Sequence, residues 1–167
     1  MIECDFLVIG AGPSGLYAAY YAGFRGFKVV VLDVLPEPGG QISAMYPEKD
    51  IFDVAGFAAV KGRDLVDGLL AQANQFSPTY VLGERAETLA TSDDGPVIVT
   101  TDKGTTIQAK AAVITGGIGS FTPRELPAGS EFVGKGLVYF VPRLEDHRDK
   151  DVVIVGGGDS AFDWAVS

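Results

Sequence analysis

Two glycine clusters carry most of the chemistry legible in this chain. The first, Gly10-Ala11-Gly12-Pro13-Ser14-Gly15, is a G-x-G-x-x-G that directly follows the apolar run Asp5–Ile9. Ala19, Gly26, Val29 and Asp33 continue the pattern at the spacing that a strand–helix–strand unit imposes. Gly10 permits the tight turn out of the strand, Gly12 lets backbone approach a pyrophosphate, and Gly15 lets the helix pack closely. Backbone N–H groups at the helix start, near Ser14 and Gly15, then present the positive end of a helix dipole to the diphosphate. Asp33 ends the second strand, where its carboxylate can accept hydrogen bonds from ribose hydroxyls and would repel a 2′-phosphate. The unit is built to hold the ADP half of a dinucleotide that is not NADP. The alternative, a glycine turn in an unrelated α/β protein with Asp33 as a solvated carboxylate, leaves all these spacings a coincidence.

A second cluster repeats the arrangement. Gly156, Gly158 and Ala161 read G-x-G-x-x-A after the apolar run Val152–Val155, with Asp159 and Ser160 at the expected helix start and Ala165 four residues beyond Ala161. Two dinucleotide sites imply hydride exchange between cofactors, a resident FAD at the first and a passing nicotinamide at the second. The residue choosing NAD or NADP would lie about twenty positions past Gly156 and so beyond Ser167. Ser14 and Ser160 follow glycine turns and are phosphate or cap contacts; no histidine stands near either to activate it. The sole histidine, His147, lies in the charged stretch Leu144–Arg148 and reads as a solvated linker residue. The sole cysteine, Cys4, excludes a C-x-x-C pair within the chain and reads as a small side chain ahead of the first strand.

The elements that must position these loops follow from apolar patterning. Strands are expected at Asp5–Ile9, Lys28–Leu32 and Tyr80–Leu82, and helices at Ser14–Arg25 and Arg63–Phe76. Ala86–Thr91, Val97–Thr101 and Thr105–Ala109 suggest a small meander, and Ala111–Thr115 a further buried strand before Gly116-Gly117. Pro36–Gly40 is a loop, and the stretch from there to Val60 has no clear period. Val152–Val155 predicts a strand and Asp159 opens a helix that the end of the chain cuts. The expected class is α/β: a Rossmann-like FAD-binding domain over 1–118, with a parallel sheet and a β-meander, then a connection over 119–150. The start of a second Rossmann-like, NADP-binding domain follows over 151–167, making the chain a fragment that alone holds FAD poorly. A net charge of −9 over 167 residues argues against nucleic acid and a polybasic membrane anchor. No apolar run approaches the ~18 residues of a membrane helix. Without a leader pattern, the expected location is cytoplasmic.

Closer motifs resemble one family. Ile114-Thr115-Gly116-Gly117 followed by Pro123 is similar to the second FAD-contact turn of the flavoproteins with two dinucleotide-binding domains. Pro38–Gln41, Tyr46–Lys49, Asp53–Phe57 and Gly156–Ala165 resemble the thioredoxin-reductase-like ferredoxin–NADP reductases. That resemblance runs through essentially the whole chain and covers about half of a family member. It implies FAD and NADP(H) as cofactors, ferredoxin or flavodoxin as partner, and a homodimer at full length. It places Gly40, Gln41 and Tyr46 along the flavin and gives Ala86 backbone hydrogen bonds to the adenine. Gly116 falls in the second contact turn and Phe121 near the ring system. Read from residues alone, Tyr46 is either a stacking ring or a buried loop aromatic, Phe121 either a flavin contact or core, and Asp53 either a flavin partner or a loop cap. Thioredoxin reductases carry a C-x-x-C before the second glycine motif, and glutathione-reductase-type enzymes carry one after the first. Gly136–Val155 and Gln41–Met45 have neither, so electrons would leave the flavin directly for an external acceptor. Three other readings stay open: a flavin monooxygenase, a thioredoxin-reductase-like flavoprotein without disulfide activity, and a non-catalytic nucleotide-binding module. Arg143, Arg148 and Lys150 form the one local basic cluster, which matters because ferredoxins are usually acidic.

Overall fold

The structure is a computed structural model that describes residues 1–91, 95–119 and 124–166. Strand β1 (Ile2–Ile9) leads through the glycine loop into helix α1 (Pro13–Phe24), and strand β2 (Val29–Asp33) returns beside β1 in parallel. Gly26, at φ +82°, reverses the chain after α1 without the steric penalty a side chain would bring. Helix α2 (Gly40–Met45), a short hairpin β3 (Asp50–Ile51) and β4 (Val60–Lys61), and helix α3 (Gly62–Asn74) then precede strand β5 (Thr79–Leu82). Strands β6 (Ala86–Ala90), β7 (Val97–Thr101) and β8 (Thr106–Ile114) form the meander. The main sheet runs β5-β2-β1-β8-β7-β6, parallel from β5 to β8 and antiparallel from β8 to β6.

Every residue of β2 is buried, as a parallel strand covered on both faces requires. Alternate residues serve different layers. Val8, Val29 and Val31 pack under α1 with Ala19 and Ala22 and under α3 with Ala73. Leu7, Val30 and Leu32 face the other way, toward Val99, Ile107 and Ala109 of the meander. Truncating any fully buried leucine here would cost about 2–5 kcal/mol. The two layers fix the end of β1, and so the start of the glycine loop.

Four expectations are corrected. Strand β1 begins at Ile2, so Cys4 lies inside it and is buried in the core. The stretch after Gly40 is not irregular: it holds α2 and the β3–β4 hairpin. Thr105–Ala109 and Ala111–Thr115 are one strand, β8. Its first half pairs with both β7 and β1 and its second half with β1 alone. Lys110, which falls between the two expected strands, sits where β8 leaves β7, and its ammonium reaches Asp5 of β1 at 2.7 Å. Val152–Val155 forms no strand: parallel strands draw their hydrogen bonds from neighbours, and no described residue pairs with this run. Helix α4 (Asp159–Val166) does follow the second glycine cluster.

Candidate functional site

The first glycine loop sits at the carboxyl ends of β1 and β2, the usual ligand edge of an open α/β sheet. Its three glycines meet different surroundings. A Cβ on Gly10, which has φ +107°, would lie 2.3 Å from the Thr115 carbonyl oxygen, and one on Gly15 would lie 1.8 Å from the Gly10 carbonyl oxygen. Gly15 therefore lets α1 close onto the loop. Gly12 is different: the nearest atom to its Cβ position is the Gly40 Cα at 4.0 Å, so it borders open space. Gly12 caps α1 with no side-chain hydrogen bond, and the helix's first turn has no acidic residue to answer its N–H groups.

Thr115, Gly39 and Asp33 hold this loop. The Thr115 hydroxyl donates to the carbonyls of Gly10 at 2.8 Å and Ile9 at 3.1 Å. The Gly39 amide donates to the Ala11 carbonyl at 2.8 Å. Asp33 is buried, and its two oxygens accept separate backbone donors: Ala11 N–H at 2.5 Å and Leu35 N–H at 2.8 Å. The sequence assigns Asp33 to a ribose; the structure adds that it anchors the glycine loop to the end of β2. Each carboxylate oxygen keeps further acceptor capacity, so the two roles are compatible.

Gly10, Gly12, Pro13, Ser14, Asp33, Gly40, Gln41, Ala86 and Gly116 line one cleft of 420 Å³. That falls within the roughly 300–1,000 Å³ of small-molecule sites. Gly15 lies behind it, against Gly10. Tyr46 does not line the cleft, whose wall here is Met45. The tyrosine instead stands half-buried at the end of α2, with the Lys49 ammonium 5.5 Å from its ring centre. Phe121 lies outside the described residues. Glu84, Ile118 and Phe140 also line the cleft, though no motif marked them. The Thr101 hydroxyl, donating at 2.6 Å, holds the Glu84 carboxyl below the usual carboxylate range, aided by Thr105.

The second loop is more open. Gly156, Gly158, Asp159 and Ser160 line a hollow of 1,170 Å³ together with Val138–Val141, His147 and Trp164 of the connection and α4. A Cβ on Gly156 would stand 3.6 Å from that of Ala161, so this turn has room for alanine where the first requires Gly15. Phe140 lines both spaces. His147 is half-buried on a short 3₁₀ turn facing this hollow, not a fully solvated linker residue. The basic cluster is largely neutralised: Arg143 pairs with Asp146 at 3.5 Å and Arg148 with Glu145 at 2.9 Å. Burial pushes the Cys4 thiol up, away from thiolate reactivity. No group of metal-ligating side chains occurs among the described residues, and none of their helices is long and apolar enough to cross a membrane.

Comparison with known proteins agrees with this arrangement. The family model for pyridine nucleotide-disulphide oxidoreductases matches residues 4–167. A protein named ferredoxin–NADP reductase from Frankia casuarinae is 61% identical over 161 residues, covering 96% of this chain and 50% of the relative. One of the same name from a Nocardioides species is 63% identical over 168 residues, covering 99% and 51%. The crystal structure of thioredoxin reductase from T. acidophilum superposes with a TM-score of 0.62 at 26% identity, over 81% of this chain and 42% of that one. The chain thus spans about half the length of the curated relatives it matches. These likenesses bear out the family resemblance and the Rossmann-like α/β fold. From its first strand to its second glycine loop, the chain belongs to the pyridine nucleotide-disulphide oxidoreductase family.

Proposed function

We propose that this chain supplies the FAD-binding portion, and the opening of the NADPH-binding portion, of a ferredoxin–NADP reductase. The observation that carries the reading is the first cleft, where an uncapped helix start, an unobstructed Gly12 and a buried Asp33 converge. Those features fit a dinucleotide. The α1 N–H groups face a diphosphate, Gly12 lets it approach, and Asp33 receives the adenosine ribose. Ala86 offers backbone to the adenine. Gly40, Gln41 and Gly116 would run along the flavin, and Gly156, Gly158, Asp159 and Ser160 would cradle the NADPH diphosphate. FAD, when bound, accepts a hydride from NADPH and passes its electrons on singly. Tyr46, at the end of α2 beside this cleft, would stack on the flavin.

The chain's one cysteine is buried in β1, so its residues supply no dithiol relay despite the family's name. Electrons would pass directly to ferredoxin or flavodoxin. The acidic surface and the self-paired Arg143 and Arg148 offer such partners little attraction. The domain limits 1–118, 119–150 and 151–167 and a cytoplasmic setting belong to the same proposal. So does a homodimer, because α1 is apolar all round yet leaves Tyr17, Tyr21 and Phe24 about half exposed.

Anaerobic mixing of the full-length flavoprotein with NADPH, followed by addition of oxidised ferredoxin, tests the reading. Bleaching of the flavin by NADPH and its recovery on ferredoxin addition are expected. A long-lived oxygen adduct on admitting oxygen to the NADPH-reduced flavin would favour a monooxygenase, and no bleaching at all would leave a nucleotide-binding module.

A further inference from the structure

We infer that Lys49 is a positioning residue that ties the second glycine loop to the first cleft, acting through Asp163. Lys49 follows Tyr46-Pro47-Glu48 in the turn after α2, far in sequence from α4. Its ammonium nonetheless donates to Asp163 Oδ2, one turn into α4, while standing 5.5 Å from the Tyr46 ring centre. A cation within about 6 Å of an aromatic face is attracted to it. The lysine is therefore shared between the aromatic beside the first cleft and the helix that opens at the second loop. The preceding residue strengthens the junction. Glu48 holds Arg63 at 2.6 Å, and Arg63 reaches the Pro142 carbonyl at 3.4 Å in the connection that also carries Phe140. One four-residue segment, Tyr46–Lys49, thus grips both the connection and α4.

The Lys49 and Asp163 side chains are 37% and 46% exposed, so the pair adds little to stability and is free to open. Its value is geometric. This inference rests on the reading of the two loops as FAD and NADPH sites. Hydride transfer between cofactors needs reacting atoms about 3–3.5 Å apart, and an ångström of drift in α4 would carry the nicotinamide out of reach. Lys49 would hold α4 in register and release it when the pair opens.

Trp164 adjoins Asp163 and is the chain's single tryptophan, which gives a readout independent of any cofactor. In the 167-residue chain, Lys49→Met and Asp163→Asn should each raise acrylamide quenching of Trp164 about twofold, a change within reach of a half-exposed pair. The double variant should equal either single one. About 0.5 M NaCl should move the wild type toward the variants and leave the variants unchanged. In the full-length flavoprotein each substitution should slow flavin reduction at saturating NADPH about threefold without weakening FAD retention. Unchanged quenching in both single variants, additive effects in the double, or wild-type reduction rates in the variants would overturn the proposal. A wild type that holds no FAD, or is not reduced by NADPH, would instead defeat the cofactor reading, and with it any role for Lys49 in placing the nicotinamide. Quenching would then decide only whether the pair forms.

Discussion

Replacing Asp33 with asparagine separates the two duties of that carboxylate. Oδ2 and Oδ1 each accept a backbone N–H, from Ala11 at 2.5 Å and Leu35 at 2.8 Å, in a site where the residue is only 9% exposed. An asparagine keeps one acceptor oxygen and sets an NH₂ against the other amide, leaving a buried donor without a partner. That defect costs about 1–3 kcal/mol, and loss of the charge assistance on the surviving bond adds roughly 1 more. With a urea m-value of about 2 kcal/mol/M, the midpoint should fall by roughly 1–2 M. Urea titration of the 167-residue chain followed by far-ultraviolet circular dichroism measures this directly. Binding of ADP and 2′-deoxy-ADP to the wild type by calorimetry then isolates the ribose duty, since only a ribose-binding Asp33 distinguishes them. An unchanged urea midpoint in Asp33→Asn would refute the anchoring argument. Equal affinity for the two nucleotides would refute the ribose contact and leave the anchor intact.

The glycines give a contrasting pair. Gly15→Ala forces a methyl to within 1.8 Å of a backbone oxygen and should cost about 3 kcal/mol or more, seen as a lowered thermal midpoint. Gly12→Ala, with open space around it and φ −71°, should change stability by less than about 1 kcal/mol while abolishing measurable ADP binding. The Lys110 ammonium, with the Lys28 amide, holds the Asp5 carboxyl below the usual carboxylate range. A depressed value contributes stability that is complete above the unfolded range, near pH 4, and is lost as pH falls through the lower folded value. Urea midpoints for Asp5→Asn should therefore lie below the wild type at neutral pH and converge with it in strong acid. Buried Cys4 should react with a thiol reagent only on unfolding; rapid labelling of the native chain would contradict its place in β1. The chain alone should lose FAD on gel filtration, and stoichiometric retention would show that the first cleft suffices.

How far the sequence could be read depended on how local the determinants were. The β1–α1–β2 unit was legible because periodicity, glycine spacing and the carboxylate at Asp33 all lie within one stretch of chain. Helix α2 was not, since its first residue is Gly40 at φ +61°, and six residues are too few to show a period. Its start is set by Gly12, whose Cα would stand 2.9 Å from a Cβ on Gly40, a contact between residues far apart in sequence. The continuity of β8 through Lys110 was hidden because it rests on pairing with β1, far away in sequence. Val152–Val155 misled for the opposite reason: its composition suits a strand, but strands exist only in pairs. At the cleft, glycines and Asp33 were legible from backbone demands. Glu84 and Phe140 entered through tertiary packing alone.

The way β8 leaves β7 has a consequence for handling the protein. Beyond Lys110 the strand is bonded to β1 on one side only, and among the described residues no strand pairs with its other edge. Ile114, at the end of that row, is 67% exposed. Such an edge is a template for any extended segment that drifts past, including the same edge of another molecule. The very strand that carries Thr115 to the glycine loop is thus the place where concentrated solutions of this chain would begin to self-associate, with the nucleotide cleft among the first features lost.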